Sequence, residues 1–344
     1  MKHDFLKHPT SPMDVSDKTI GDLIEGMGRT GFQGRKLGES LDVWLQMLED
    51  NRISVFLGLS GAMVPAGMRR ILSFLIESRA IDCLVSTGAN LFHDAYEALG
   101  GHHYLGSENA DDTVLFKAEI DRIHDVYASE QDFRKLDLKI AEFAMGLESG
   151  KAYSSRELMH LFGKMIHELG GAKDSILTSA YRNSVPIYAP SLSDSSIGIG
   201  LTVARRKGHP VTVDHIKDVD ELTSIVEASK KTGVIYVGGG VPKNFIQQTE
   251  VVASMFGLEE MGHEYAIQYT TDSPQWGGLS GCTFEEAVSW GKIHEGAKKV
   301  QVFVDATIAL PIISHALFEK SKDILKKRKK PKFNIEGEKL ELSF

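Results

Sequence analysis

Cysteine is almost missing from this chain: Cys83 and Cys282 are the only two among 344 residues. Cys83 lies in an apolar run and neither sits in a zinc-holding spacing, so the sequence predicts neither a disulfide framework nor a structural metal. A reducing, cytoplasmic setting is expected. Long apolar runs are missing too: nothing approaches the roughly 20 residues that span a bilayer, and the opening MKHDFLKHPTSPMDVSD lacks the apolar centre of a signal peptide. No membrane partner is expected. Basic charge is in deficit, with 39 Lys and Arg against 47 Asp and Glu and a formal net charge of -8. That balance argues against nucleic acid as a partner and suits the attraction of cationic amines. There is no GxGxxG fingerprint, no internal repeat and no low-complexity block, and His102, His103 and the scattered carboxylates lack metal-ligand spacing.

What is present is an alternation of short apolar runs with helical periods. Strand candidates are ISVFLGL, IDCLVST, VPIYAP, HPVTVD, GVIYVGGG, EYAIQYTT and VQVFVDA. Between them, LGESLDVWLQML puts Leu37, Leu41, Trp44, Leu45 and Leu48 on one helical face, and SSRELMHLFGKMIHELG reads the same way. Such alternation predicts an α/β fold, a doubly wound and mainly parallel sheet with helices on both faces. The expected organisation is an arm over residues 1–16, one α/β domain with helical additions over 17–320, and a charged segment over 321–344. Residues 102–149 read as helical excursions from the sheet, and the run KKRKKPK reads as solvated.

Ligands of open parallel sheets bind beyond the carboxyl ends of the strands, where glycine turns admit a phosphate to backbone N–H groups. FLGLSGAMVPAG, STGAN and VGGGVPK each follow a strand and precede a helix. Asp305, at the end of VQVFVDA, and Asp194, in SLSDSSIG, each either hold ribose hydroxyls or cap a helix.

EAVSWGK, Glu286 to Lys292, sets a lysine after a tryptophan and a glycine with a carboxylate six residues earlier. An ordinary lysine has a pKa of about 10.4, and burial against an apolar wall such as Trp290 frees the amine for imine chemistry. Glu286 suits an ammonium ligand. The plain alternative is a surface helix, FEEAVSWGKIHEGAKK, with Lys292 in water.

EAVSWGK is similar to the active-site segment of the deoxyhypusine synthase family. TGFQ (Thr30 to Gln33), VFLGLSGAMVPAG (Val55 to Gly67), LVSTGANLFHD (Leu84 to Asp94), PSLSDSSIG (Pro190 to Gly198), VGGGVPK (Val237 to Lys243) and VFVDA (Val302 to Ala306) recur in that family's order. The resemblance covers about residues 17–317. It implies a Rossmann-like fold, and NAD held at Gly61, Ala62, Thr87, Gly88, Ala89, Asp194, Gly239, Asp305 and Ala306. It further implies an amine or polyamine substrate, Lys292 as the residue that carries an aminobutyl imine, and a homo-oligomer, a tetramer with sites at subunit interfaces.

Several positions depart from the family pattern. Family carboxylates are replaced by Ile199, Leu279, Phe92 and His93, and the histidine and asparagine after the GGG turn become Asn244 and Gln248. Asn244 is therefore a candidate substrate contact beside Glu286 and Trp290. His93 reads either as a general base or as a structural histidine at a helix start. Losing that many anchors for a polycation predicts transfer to a small amine, giving a homospermidine-type product. The alternatives are deoxyhypusine synthase activity on a translation-factor lysine, and a non-catalytic NAD-binding subunit.

Overall fold

The computed structural model describes residues 6–257, 262–337 and 340–344. Residues 1–5 of the expected arm and 338–339 of the C-terminal segment lie outside them. The main sheet has six strands, β1 (Ile53–Leu59), β2 (Cys83–Ser86), β3 (Ile187–Tyr188), β4 (Lys231–Val237), β5 (His263–Thr270) and β6 (Ile293–Phe303). Their spatial order is β3-β2-β1-β4-β5-β6 and every pairing is parallel. This is the doubly wound sheet that the alternation predicts. All seven residues of β1 are buried, as an unbroken apolar run covered on both faces requires. One face packs on Leu41, Trp44 and Leu48 of the helix Phe32–Glu49, and the other gathers Phe56, Tyr236, Ile246 and Phe284 into a second core.

Three segments differ from the sequence expectation. HPVTVD yields only Thr212–Val213, which pairs with Ala152–Tyr153 outside the main sheet. Within 102–149, helices Asp112–Lys117 and Glu130–Met145 are joined by a three-stranded antiparallel sheet of Tyr104–Leu105, Ile120–Ile123 and Val126–Ser129. Strands of two to four residues are too short to show a period. The surface helix proposed around Lys292 stops at Ser289: Gly291 takes φ +68°, and the chain turns there into β6. A left-handed glycine just past a helix end is the usual C-terminal stop.

The basic C-terminal run is only partly solvated. Lys326, Lys327 and Lys329 are exposed, but Arg328 is buried against Asp82, with Nη1 3.1 Å from Oδ1. Arg79 reaches the same carboxylate at 3.0 Å, and Asp82 Oδ2 accepts the Val55 N–H of β1. The segment therefore ties down the sheet edge on which β1 and β2 begin. Removing one partner of a buried ion pair strands the other, so Arg328→Leu should cost about 3 kcal/mol. Urea denaturation should show it as a lower midpoint, whereas Lys329→Ala should stay within about 0.5 kcal/mol.

Candidate active site

The order β3-β2-β1-β4-β5-β6 reverses direction between β1 and β4, and the turns that leave those two strands meet there. Ser60 N donates to Val237 O at 3.0 Å and Ser60 Oγ donates to Gly239 O at 2.5 Å. Gly239 has no room for a side chain: a Cβ would lie 2.5 Å from Ser280 Cα. Gly61, at φ +76°, and Ala62 are exposed on the opposite turn. That turn is held by Asn90, which donates to Gly61 O at 2.7 Å and accepts from Met63 N and Val64 N at 3.1 and 3.3 Å. Asn90 was not singled out from the sequence, although its place in STGAN, one turn into a helix, is the available signal.

Thr87 caps the helix Gly88–Ala98, with its side chain accepting from Asn90 N, and Ala89 is exposed on the first turn. A Cβ on Gly88 would fall 2.4 Å from Ser195 Oγ, so this glycine serves the close approach of the Asp194 loop. Asp194 itself is exposed. Asp305 caps the helix Ala306–Lys320, taking both Thr307 N and Thr307 Oγ1 on Oδ1 at 2.7 Å. Its capping role is realised, and its second oxygen has no hydrogen-bond partner among the described residues.

Ala62 and Asp305 line one cavity of about 650 Å³, together with Gly67, Thr307, Glu97 and His103. The volume is in the range of small-molecule sites. His93, on the helix Gly88–Ala98, sits beside it among Phe92 and Phe133, and its Nδ1 is 3.0 Å from His103 Nε2. Burial holds His93 down to about 4, with the His103 ring adding to the effect. His103 was set aside in the sequence because it was weighed only as a metal ligand.

Lys292 occupies a second place. Its Nζ donates to Asn244 Oδ1 at 2.8 Å and lies 5.3 Å from the centre of the Trp290 ring, which is 64% exposed. Asn244 Nδ2 donates to Gln248 Oε1 at 3.4 Å, which aims the amide oxygen at the lysine. Lys292 is only half-buried. The fully desolvated lysine is Lys243, with 0% exposure, whose Nζ donates to Gln268 Oε1 at 2.9 Å and Cys282 O at 2.6 Å. Burial lowers Lys243 to about 8, and the nearby Lys292 lowers it further while Cys282 and Glu286 oppose. Gln301 Nε2 joins the same two oxygens, and Gln268 Nε2 donates to Gly238 O and Ser280 O. This network pins the loop that leads to EAVSWGK. Glu286 is exposed on the helix Phe284–Ser289. The structure thus brings Lys292, Trp290 and Asn244 together, but within one chain the Lys292 group shares no lining residue with the 650 Å³ cavity.

The profile of the deoxyhypusine synthase family matches residues 22–317. The chain belongs to the deoxyhypusine synthase family. A Methanosarcina mazei protein named probable deoxyhypusine synthase 2 is 62% identical over 99% of this chain and 98% of its own length. The same organism's probable deoxyhypusine synthase 1 is 41% identical over 88% and 92%. A crystal structure of a putative deoxyhypusine synthase from Entamoeba histolytica superposes with a TM-score of 0.63 at 17% identity, covering 90% of this chain and 98% of that one. Membership makes the chain a transferase-family protein with this α/β fold. No helix among the described residues is long and apolar enough to cross a membrane, and no group of three or more His, Cys, Asp or Glu among them could hold a metal ion.

Lys243 supplies a stability test with a definite sign. Its folded pKa lies below the unfolded value of 10.5, so the unfolded chain binds more protons between them and stability rises with pH across that window. From pH 7 to 9.5 the gain due to this lysine should be about 2 kcal/mol. Denaturant titrations at the two pH values should show that gain in the unaltered protein and lose it in Lys243→Met.

Proposed function

We propose that this protein is an NAD-dependent transferase that moves an aminoalkyl group, of the aminobutyl kind, between amines through an imine on Lys292, with a small amine as acceptor. The observation that carries this reading is the placement of Lys292. Its nitrogen is held by a neutral amide oxygen beside an exposed indole, within a segment that matches the family's active-site lysine. A primary amine in that position attacks an electrophilic carbon, and the indole face stabilises the cationic imine that results. Glu286 offers a carboxylate to a second ammonium, and Asn244 orients the nucleophile.

The turns at the strand-order reversal fit a dinucleotide. Gly61 and Ala62 offer exposed backbone, and the helix that starts at Gly240 has no side-chain cap at Gly239. Asp305 keeps one carboxylate oxygen for a ribose hydroxyl, while Thr87, Gly88, Ala89, Asp194 and Ala306 shape the walls. When bound, NAD supplies the hydride acceptor that turns an amine carbon electrophilic. Because Lys292 and the cavity are apart within one chain, the reading includes a homo-oligomer, a tetramer in the family pattern, in which one subunit presents Lys292 to the cavity of another. The setting is cytoplasmic.

Two observations favour a small acceptor. Ile199 and Leu279, which stand where the family carries carboxylates, are 52% and 36% exposed, so their apolar surfaces are available to a ligand rather than spent in the core. The chain is also nearer to the second than to the first of the two M. mazei relatives, and an organism with two such proteins has one to spare for another acceptor. Modification of a translation-factor lysine is the competing reading.

Borohydride reduction in the presence of NAD and a diamine or spermidine should add the amine fragment to Lys292. Lys292→Arg keeps the charge and should abolish both the adduct and turnover; an adduct elsewhere, or full turnover in that variant, defeats the imine route. Mass spectrometry of products from a panel of diamines and polyamines should reveal a small-amine product and little modified translation factor. Restoring acidity with Ile199→Asp and Leu279→Asp together should raise the use of spermidine about tenfold relative to the native substrate, equivalent to about 1.4 kcal/mol of recognition.

A further inference from the structure

Beside the cavity, four side chains form a chain of contacts in which each acceptor fixes the next donor. Arg69 Nε holds Glu97 Oε2 at 2.7 Å, and Arg69 Nη1 is itself held by Asp174 at 2.9 Å. Glu97 Oε1 lies 2.7 Å from His103 Nδ1. A carboxylate paired with a guanidinium accepts hydrogen bonds and does not donate them, so His103 Nδ1 carries the proton. When that ring is neutral its other nitrogen, Nε2, is an acceptor, and it faces His93 Nδ1 at 3.0 Å. His93 Nδ1 therefore donates. The lone pair of His93 is left on Nε2, for which there is no hydrogen-bond partner among the described residues.

We propose that Glu97, His103 and His93 form a proton relay that takes one proton from an ammonium group bound against His93, beside the 650 Å³ cavity that Glu97 and His103 line, with His103 as the positioning residue that stores it. The relay rests on the amine chemistry proposed above. In the step, an N–H bond of the ammonium breaks as His93 Nε2–H forms, and the His93 Nδ1 proton passes to His103 Nε2. The product is an imidazolium on His103 against the Glu97 carboxylate and a free amine whose nitrogen lone pair is exposed. No electrons are exchanged. The arrangement resolves a difficulty in the simpler assignment of His93 as a lone base: burial holds this ring down to about 4, too low to keep a proton near pH 7. Passing the proton on removes that requirement.

The titratable groups that act on His93 are His103 and Glu97. The helix Glu130–Met145 meets it through the Phe133 ring. Asp94, on His93's own helix, is occupied by Ile176 N and Leu177 N at 2.8 and 2.9 Å. His124, Asp125 and Asp305 are further titratable groups of the cavity wall.

The test uses the full chain, labelled with 15N-histidine, without cofactor or amine at pH 7.5, and assigned with His93→Gln and His103→Gln. Both His93 and His103 should appear as the Nδ1–H tautomer. Glu97→Gln, whose amide can donate, should shift His93 toward the Nε2–H tautomer, and Glu97→Asp should restore it. His93 in the Nε2–H form in the unaltered protein, or no shift in a folded Glu97→Gln variant, overturns the relay whatever the reaction proves to be. With a diamine and NAD, Glu97→Gln should lower kcat about 10- to 100-fold while KM stays within about twofold; unchanged kcat overturns the relay. Correct tautomers in a protein that turns over no amine overturn the proposed reaction instead, and with it the ammonium as proton source.

Discussion

The reversal of strand order between β1 and β4 is the constraint on which the rest of this molecule depends. A parallel sheet wound outward in both directions from its centre leaves one seam where neighbouring strands send their chains to opposite sides. At that seam the turns after Leu59 and Val237 have to cross without a helix between them. Ser60 and Gly239 meet the demand by bonding directly, and Ser280 closes over Gly239 so tightly that only hydrogen fits. Backbone is thereby exposed on the rim instead of being covered by side chains. Asn90 carries the same logic outward: one amide bonds Gly61 O, Met63 N and Val64 N, fixing the shape of a turn that has no regular structure of its own.

The second organising feature is a buried lysine without a carboxylate. Among the described residues Lys243 bonds only neutral oxygens, of Gln268 and Cys282, and the Gln301 amide holds the same two acceptors. Solvating a cation with amide dipoles costs more than leaving it in water, which is why its proton is held less firmly than usual. What the fold gains is a rigid junction. Strands β4, β5 and β6 and the loop before Thr283 meet on that network, so the segment ending at Lys292 starts from a fixed point although Trp290 is exposed and Lys292 only half-buried.

Much of the fold was legible because parallel strands buried on both faces are continuous apolar runs, and β1, β4 and β5 are of that kind. The same reasoning failed at Thr212–Val213 and in residues 102–149, where strands of two to four residues are made by pairing rather than by composition. At the site, the turns were readable from their glycines, and Lys292 from its resemblance to a family segment. The desolvated lysine was misplaced: apolar neighbours in sequence pointed to Lys292, but depth is set by the helix Gly240–Met255 packing on the sheet, and that helix buries Lys243. His103 escaped because its partners, Glu97 and His93, are six and ten residues away and join it only when the helix Gly88–Ala98 and the strand after it fold back together.

The family resemblance puts an amide, Asn244, beside Lys292 where a histidine is usual, and that has a chemical consequence. Asn244 accepts a hydrogen bond from the lysine, and Gln248 fixes the orientation of that amide, but neither takes up a proton near neutral pH. Imine formation and exchange between amines require protons to leave one nitrogen and arrive at another. If the Lys292 wall lacks a neutral-pH proton carrier, the histidines across the proposed subunit junction become the groups able to fill that need. The two halves of the proposed site then have different duties: the lysine half binds and holds carbon, while the cavity half moves protons. Under the proposed function, such a division accounts for the loss of an ionisable side chain at Asn244 in a chain that keeps the lysine, the tryptophan and the glycine turns.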